Sequence, residues 1–314
     1  MRRRCRAAAP APVGYPDVVR IDEVAVVHHR TPELLARALA RLARHAPDVP
    51  VRVLESGPDA AATARVAQRH PGASVRRLPN HSYAAAVNAA LTGASADLLV
   101  VMNADVLIEA NTLAALAAPF HDPAVAATGP LVHRPDGRLQ DQGPAHRVRA
   151  SGLRGRGPHV ARDVPWLSGC VIALRRVAAR DVGGFDPSLR FFNEDLDWGL
   201  RARALGWRSV LVGAEVEHVG GASTPAAGRF RVEGLRGGMV VARRFAPPAQ
   251  RALHRAAVYA YAALRARTGP TPDRRTWAAA ARMMRRGAFD ASPFGATLDV
   301  PAPGFPDAWP PVRT

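Results

Sequence analysis

The stretch LLVVMNAD at residues 98–105 decides the predicted fold. Its five apolar residues, 98–102, are typical of a strand that is buried on both faces of a sheet. Asn103 and Asp105 follow where that strand ends. Ligands of open α/β sheets bind outside the carboxyl ends of the strands, and a carboxylate there suits a divalent cation that holds a diphosphate. The stretch therefore predicts a central strand with a metal and phosphate site at its end.

Short apolar runs alternate with helical stretches around this strand. The other predicted strands are residues 24–27, 51–54 and 75–78, and the predicted helices are residues 32–42, 59–68, 82–91 and 111–118. Such alternation predicts an α/β fold with a mostly parallel central sheet flanked by helices. Two further strand ends then carry polar side chains beside the same site: His28, His29, Glu55 and Ser56.

A second acidic cluster opens the helix predicted for residues 194–205, in the stretch FFNEDLDWGLRARALGW. Glu194 and Asp195 suit a general base that takes a proton from an attacking hydroxyl group. Asp197 cannot share the helix face of Asp195, so it orients a neighbour or caps the helix. A structural alternative stays open, because acidic residues at a helix N-terminus also stabilise the helix dipole. Asp105 alone likewise fits a turn or a helix N-cap.

The rest of the chain divides into segments of different character. Residues 134–163 are rich in Gly, Pro, Arg and His and predict a long loop, and the segments 209–212 and 216–221 close the α/β domain. The sequence from residue 229 to about residue 286 is typical of arginine-rich helices. We expect the following division: a disordered basic tail at 1–20, an α/β domain at 21–228 with halves at 21–120 and 121–228, a helical extension at 229–290 and a Pro-rich tail at 291–314.

The composition limits the classes of protein. The formal net charge is +17 and all 43 residues counted as Lys or Arg are arginine, which favours anionic partners. A nucleic-acid-binding protein is the weaker alternative, because no recognition motif accompanies the charge. Cys5 and Cys170 give no disulfide framework and fit a reducing cytosol. Since no apolar run reaches the roughly 18 residues of a membrane-spanning helix, we expect a cytoplasmic protein with, at most, peripheral contact at the inner face of the membrane.

Taken in order, these segments resemble the inverting family 2 glycosyltransferases of the GT-A fold, especially the bacterial rhamnosyltransferase-like branch. The resemblance covers residues 24–223 and is carried by VAVVHHRTPELLARALARL, VLESGPD, NHSYAAAVNAAL, VVMNAD, PLVHRPDGRLQ, WLSGCVIALRR, VGGFDPSLRFFNEDLDWGLRARALGW and VEHVGGAST. It implies transfer of a sugar from a nucleoside-diphosphate donor, with dTDP-rhamnose as one candidate. The implied acceptor is a hydroxyl of a cell-envelope glycan or lipid-linked glycan, the implied cofactor is Mg²⁺ or Mn²⁺, and no nucleic-acid partner is expected.

The resemblance also assigns roles to residues. Asp195 would be the catalytic base with Glu194 beside it, and Asp105 and His218 would hold the metal, although a histidine in this position taken alone is more often structural. The first half of the domain would bind the nucleotide sugar through His28, His29, Arg30, Glu55, Ser56, Asn80, Asn88, Asn103 and Asp105. The second half would shape the acceptor side through Trp166, Ser168, Gly169, Gly184, Phe185, Asp186, Asp197 and Trp198.

Several positions depart from the family pattern. Glu55 and Ser56 stand where Asp-Asn is usual, and the pair His28 and His29 replaces Thr-Tyr or Thr-Phe. These changes bear on which nucleotide sugar is used, whereas the Asp105 motif and the Glu-Asp pair are retained. They also motivate a second hypothesis, in which a degenerate GT-A fold binds its ligand without catalysis. Hydrolysis of any nucleotide sugar, even slowly, would tell against that hypothesis.

Overall fold

The computed structural model of the chain describes residues 19–140, 144–221 and 228–295. The expected basic tail at 1–20 lies almost entirely outside these residues. The same holds for the expected Pro-rich tail, of which only residues 291–295 are described. The division into domains stays a prediction.

The strands of the described residues form one nine-stranded sheet. In chain order they are β1 (Glu23–His28), β2 (Val51–Glu55), β3 (Ala73–Arg77), β4 (Leu98–Asn103), β5 (Val106–Leu107), β6 (Val125–His133), β7 (Ala161–Val164), β8 (Val171–Arg175) and β9 (Arg208–His218). Their order across the sheet is β3-β2-β1-β4-β8-β6-β9-β5, and β7 also pairs with β9.

The first four strands of this order run parallel, which confirms the predicted mostly parallel α/β sheet. Strand β8 lies antiparallel between β4 and β6, and β6 is again parallel to β9. In the parallel part, Val27 pairs with Asn103 and His28 pairs with Glu55. The carboxyl ends of these strands therefore meet at one edge of the sheet, as the sequence predicts.

The helices surround the sheet and continue beyond it. They are α1 (Pro32–His45), α2 (Ala60–Ala67), α3 (Tyr83–Gly93), α4 (Thr112–Ala117), α5 (Pro144–Ser151), α6 (Arg176–Val182), α7 (Glu194–Ala204), α8 (Gly228–Phe245), α9 (Pro248–Thr268) and α10 (Thr271–Arg286). Local chemistry sets their beginnings: Pro32 occupies the first turn of α1, and the Asp59 and Ser82 side chains accept backbone N–H groups of α2 and α3.

The predicted long loop at residues 134–163 is wrong in part, since α5 and β7 lie within it. Strand β7 is exposed along most of its length where it pairs with β9, so its side chains carry no apolar pattern. Strand β6 was not predicted, because Gly129 and Pro130 inside it are typical of a turn. The structure accommodates them with a register shift between β6 and β9 at this point.

Two apolar layers cover the two faces of the sheet. On one face, Leu35, Leu39 and Leu42 of α1 pack against the strands, because they recur on one side of the helix. On the other face, α3, α6 and α7 contribute Leu91, Ala179 and Trp198 among others. Burying each large apolar side chain contributes about 1.5–3 kcal/mol, so these layers fix the strands whose ends carry the polar residues.

Helices α8 to α10 form two smaller apolar clusters. Met239 and Val241 of α8 pack with Leu189, which precedes α7. Buried charges strengthen this contact: Glu233 accepts hydrogen bonds from the Arg236 guanidinium and from the backbone N–H of Arg190. Helix α8 is therefore bound to the segment that leads into α7.

Candidate active site

A cleft of about 560 Å³ opens at the carboxyl ends of β1 and β4. It is bordered by the start of α3, the segment 166–170, the segment 191–196 and the end of β9. Asp105 and Asp195 both line it. The two acidic clusters, which are 90 residues apart in sequence, are thus brought to one cavity.

Asp105 is held at the cleft by the pairing of β5 with β9, in which Val106 lies opposite His218. Asp105 Oδ1 is 3.3 Å from His218 Nε2, and Asp105 Oδ2 accepts the backbone N–H of Gly220 at 3.1 Å. His218 Nδ1 is 2.7 Å from Gln140 Oε1. Burial opposes charge on the His218 imidazole, but its bonds to Asp105 and Cys170 prevail and raise its pKa to about 10.

The residues at this end of the cleft fit a divalent metal bound together with a diphosphate. Asp105 supplies a carboxylate oxygen, and His218, once the metal displaces its extra proton, supplies an imidazole nitrogen; Mn²⁺-like ions accept both. Within the described ranges, no group of three or more His, Cys, Asp or Glu side chains is placed to hold a metal. An ion bound through one or two protein side chains takes its other ligands from substrate phosphates and water. The site therefore suits a metal that arrives with a nucleotide.

Asp195 faces the cleft from the first turn of α7. Its Oδ2 accepts the backbone N–H of Gly169 and its Oδ1 that of Leu196, both at 2.8 Å. Burial nevertheless raises the pKa of Asp195, against the effect of these hydrogen bonds. A fixed carboxylate with a raised pKa is suited to accept a proton near neutral pH.

Glu194 lines the cleft beside Asp195 and is itself buried. Its Oε2 has no hydrogen-bond partner among the residues that the structure describes. Burial, and next the negative charge of Asp195, raise the pKa of Glu194 well above its usual value. The pair therefore has one carboxylate fixed by backbone N–H groups and a second carboxyl group that favours the neutral form.

The turn before α7 has an uncommon backbone. Phe192 and Asn193 have φ angles of 70° and 68°, in the left-handed region that non-glycine residues rarely occupy. Helix α8 holds this turn, because Asn193 Nδ2 donates to the carbonyl of Gly234 at 2.9 Å. A Cβ at Gly237 would lie 2.9 Å from Asn193 Nδ2 and 3.1 Å from the Phe192 carbonyl oxygen, so this close approach needs glycine.

Two of the positions that depart from the family pattern, His28 and Glu55, turn inward. His28 Nδ1 lies 2.7 Å from Glu55 Oε2, and both side chains are buried. The Glu55 carboxylate also accepts hydrogen bonds from the Thr63 hydroxyl and from the Gly57 backbone N–H. Burial acts to raise the pKa of Glu55, but these three hydrogen bonds prevail and lower it. His28, Arg30 and Glu55 line a separate pocket of about 180 Å³.

The structure brings most of the predicted site residues together and leaves the others outside the cleft. Those that line it are His29, Ser56, Asn80, Asn103, Asp105, Trp166, Ser168, Gly169, Glu194, Asp195 and His218. Those that do not line it are His28, Arg30, Glu55, Asn88, Gly184, Phe185, Asp186, Asp197 and Trp198. Lining residues that sequence reasoning missed include Tyr83, Gln140, Cys170, Phe191, Phe192 and Phe230.

Several of the residues outside the cleft have structural partners that explain their position. Phe185 and Trp198 stack in the core with ring centroids 5.3 Å apart. Asn88 is buried and bonds both the N–H and the carbonyl of Phe185 through its amide, at 2.8 and 2.7 Å. The carboxylates of Asp186 and Asp197 both accept hydrogen bonds from the guanidinium of Arg244, a residue of α8. These side chains build the wall behind the cleft.

Several missed residues could have been found from their neighbours in sequence. Phe191 and Phe192 lie just before the Glu-Asp pair, separated from it only by Asn193, and Tyr83 opens the helix that follows Asn80. Phe230 had no such signal, because it lies in α8, beyond the predicted α/β domain. Its place in the cleft follows from packing against Phe191, with ring centroids 4.9 Å apart.

The α/β sheet thus brings carboxylates from two distant segments to one cleft. The sequence model of "Glycosyltransferase like family 2" matches residues 23–236. The chain belongs to this family and is a glycosyltransferase. The matched region extends beyond the predicted α/β domain into α8.

One characterised protein is similar to this chain in amino-acid sequence. The N-acetylglucosaminyl-diphospho-decaprenol L-rhamnosyltransferase of Mycobacterium tuberculosis is 34% identical to this chain over an alignment 236 positions long, and the alignment covers 62% of this chain and 74% of the relative. The match is the same for strains CDC 1551 / Oshkosh and ATCC 25618 / H37Rv.

Solved structures share the fold at lower sequence identity. GalNAc-T7, crystallised with UDP, GalNAc and Mn²⁺, superposes with a TM-score of 0.58 at 15% identity, covering 88% of this chain and 58% of the other. This chain thus spans less than two thirds of GalNAc-T7. The mannosyltransferase PcManGT of Pyrobaculum calidifontis, in complex with GDP-Man and Mn²⁺, superposes with a TM-score of 0.54 at 20% identity. The superposition covers 87% of this chain and 89% of PcManGT. Both likenesses concern the GT-A fold.

Proposed function

We propose that the chain is an inverting transferase that moves a deoxyhexose, such as rhamnose from dTDP-rhamnose, to a hydroxyl group of a lipid-linked glycan. The observation that carries the proposal is the convergence of Asp105 and Asp195 on one cleft. The 34% identity to a rhamnosyltransferase whose acceptor is a diphospho-decaprenol sugar supports the choice of donor and acceptor.

The donor half of the reaction uses the end of β4. Asp105 and His218 would hold Mg²⁺ or Mn²⁺, and Mn²⁺ is present in the complexes of GalNAc-T7 and PcManGT. Such an ion, when bound, stabilises the negative charge that a departing diphosphate gains. His29, Ser56 and Asn80 line the same cleft and are the proposed contacts to the nucleotide.

The acceptor half of the reaction uses Asp195. Its carboxylate takes the proton of the acceptor hydroxyl, and the oxygen attacks the anomeric carbon from the side opposite the diphosphate. The new glycosidic bond forms as the bond from that carbon to the diphosphate oxygen breaks, so the configuration inverts. Because the Gly169 and Leu196 N–H groups fix both Asp195 oxygens, the base needs little reorganisation.

A contact with membrane lipid would bring a lipid-linked acceptor to the cleft. No helix in the described residues is long and apolar enough to cross a membrane. On α9, however, three large apolar residues are exposed to solvent: Leu253 by 72% of its surface, Tyr261 by 54% and Leu264 by 56%. Their spacing of eight and three residues places them on one helix face. We therefore place this face of α9 on an anionic bilayer at the cytoplasmic side, since the net charge of +17 complements anionic lipid.

Two experiments test the proposal. A thermal-shift screen of nucleotide sugars with Mn²⁺ should single out a deoxyhexose donor, and the same donor should then label a lipid-linked acceptor. Stabilisation by no nucleotide sugar would contradict the proposed activity. For the bilayer contact, Leu264→Glu should reduce co-sedimentation with anionic liposomes, whereas Val177→Glu, at a side chain on α6 that is 61% exposed, should not. Equal pelleting of both variants would dismiss the role of α9.

A further inference from the structure

Tyr83 lines the cleft from the first turn of α3. Its backbone N–H donates to the carbonyl of Arg190 at 3.2 Å, which joins Tyr83 to the segment that leads into α7. The preceding residue, Ser82, caps the helix by accepting the N–H of Ala85 at 3.0 Å. The backbone of Tyr83 therefore has a fixed position beside the proposed base.

The phenol of Tyr83 and the carboxylate of Asp195 contact the same glycine. The Tyr83 hydroxyl donates to the Gly169 carbonyl oxygen at 2.5 Å, and the Gly169 N–H donates to Asp195 Oδ2 at 2.8 Å. Two hydrogen bonds thus connect the phenol to the base through the backbone of one residue.

Gly169 has little room between these two side chains. A Cβ at this position would lie 3.3 Å from Cε1 of Tyr83 and 3.5 Å from Oδ2 of Asp195. The phenol and the carboxylate thus occupy the space that a larger residue would need. Because the Tyr83 bond fixes the Gly169 carbonyl, it also limits rotation of the N–H that faces Asp195.

The Tyr83 phenol acts here as a hydrogen-bond donor and not as a second base. Burial, and next the acidic groups around it, raise the pKa of the phenol well above its usual value. The proton therefore stays on the phenol oxygen through the neutral range. Tyr83 keeps its bond to the Gly169 carbonyl at every pH in that range.

Asp195 also has titratable neighbours on the other elements around the cleft. Those that line the cleft with it are His29, Tyr83, Asp105, Cys170, Glu194 and His218. From α8, the charge of Glu233 acts on Glu194, and Glu233 itself is paired with Arg236. Tyr83→Phe changes none of these charges, because the phenol is neutral. A change in the titration of Asp195 in that variant therefore reports the hydrogen bond at Gly169.

We propose that Tyr83 is a positioning residue of the transfer reaction, which orients Asp195 toward the acceptor hydroxyl through the backbone of Gly169. The inference rests on the proposed function, in which Asp195 is the base. It gives α3 a part in catalysis, since the helix that follows Asn80 then fixes the direction of a carboxylate that α7 carries.

Tyr83→Phe keeps the ring and removes only the hydroxyl. The kcat of sugar transfer should fall by about tenfold, whereas the affinity for the nucleotide-sugar donor in calorimetry should stay within about twofold. Because the Asp195 carboxylate loses a fixed donor, its pKa should rise, and the acid limb of the kcat profile should move up by about half a pH unit. Tyr259→Phe is the matched control, since Tyr259 on α9 is 40% exposed and does not line the cleft. It should change neither quantity.

A double-substitution cycle tests whether Tyr83 acts through Gly169. Gly169→Ala inserts a Cβ between the phenol and Asp195 and should itself lower kcat. Adding Tyr83→Phe to Gly169→Ala should lower kcat by at most about twofold more, because both substitutions act on one contact. Losses that multiply would show that Tyr83 acts elsewhere, which would overturn the inference.

Other results with Tyr83→Phe would also contradict the inference. An unchanged kcat and acid limb would mean that the hydroxyl does not affect the base. A raised KM for the acceptor with an unchanged acid limb would mean that the hydroxyl contacts the substrate, and an equal loss of rate at every pH would indicate partial unfolding. In each case the unmodified protein still transfers sugar, so the proposed function stands. If the unmodified protein transfers sugar from no nucleotide sugar, the proposed function fails and the inference fails with it.

Discussion

Arg244 donates to Asp197 at 2.6 Å and joins α8 to the helix that carries Asp195. The same guanidinium also contacts Asp186, and both carboxylates are buried. Without Arg244 the buried Asp186 carboxylate loses its ion pair, although Asp197 keeps Arg201 at 2.8 Å, and an uncompensated buried charge costs about 3–5 kcal/mol. Arg244→Met should therefore lower the free energy of unfolding in urea by about that amount.

The control for this prediction is an exposed ion pair. Arg41 and Glu109 are 2.9 Å apart with side chains that are 39% and 54% exposed. Such pairs contribute about 0–1 kcal/mol, so Arg41→Met should change the free energy of unfolding far less. If both substitutions had the same small effect, Arg244 would not hold α8 to α7.

Asn80 and Asn88 provide a matched pair that separates binding from stability. Asn88 is buried and bonds the backbone of Phe185 twice, whereas Asn80 lines the cleft. Asn88→Ala leaves the buried backbone N–H and carbonyl of Phe185 unpaired and should cost about 2–4 kcal/mol in urea unfolding. Asn80→Ala should instead weaken nucleotide-sugar binding with little change in stability. If Asn88→Ala weakened nucleotide-sugar binding and Asn80→Ala instead lowered the free energy of unfolding, Asn88 would belong to the donor site.

The raised pKa of Glu194 gives a test by pH. A carboxyl group whose pKa is raised by folding favours the folded state below its unfolded value, and this contribution is lost as pH rises through the folded pKa. Glu194→Gln removes that titration. The unmodified protein should therefore lose free energy of unfolding as the pH rises from 4.5, the ordinary pKa of a Glu carboxyl group, into the neutral range. The Glu194→Gln variant should not show this loss, so its free energy of unfolding should rise relative to that of the unmodified protein. Urea unfolding curves across this range measure the difference, and parallel curves would contradict the burial argument.

Asp105 can be tested against a second aspartate of the same strand region. Asp105 follows β4 at the cleft, whereas Asp97 precedes β4 with a side chain that is 90% exposed. Asp105→Asn should weaken Mn²⁺-dependent binding of a nucleoside diphosphate by about tenfold or more in calorimetry. Asp97→Asn should leave it unchanged. Equal affinity of Asp105→Asn and the unmodified protein would remove Asp105 from the metal site.

The parts of this fold that depend on local pattern could be predicted from the sequence. The apolar strand before Asn103 and the alternation around it place the carboxyl ends at one edge of the sheet, because parallel strands share their direction. The segment at residues 134–163 could not be predicted in the same way. Strand β7 is held by pairing with β9 rather than by buried side chains, so no apolar pattern marks it.

The side chains of the candidate site show a similar limit. The motifs indicate that Asp105 and Asp195 act together, but not that Phe185 and Trp198 stack in the core behind them. The ion pair of Arg244 and Asp197 joins positions 47 residues apart. The inward bond of His28 to Glu55 likewise arises from the register of β1 and β2. Such contacts depend on tertiary packing, which one sequence does not reveal.

Replacement of Asp195 by Asn tests most directly whether this carboxylate removes the acceptor proton. Asn keeps nearly the same shape but cannot accept a proton from a hydroxyl group. Asp195→Asn should reduce the rate of sugar transfer by about 100-fold or more, while the affinity for the nucleotide-sugar donor, measured by calorimetry in the same preparation, stays within about twofold. Transfer at a near-normal rate by this variant would contradict the account.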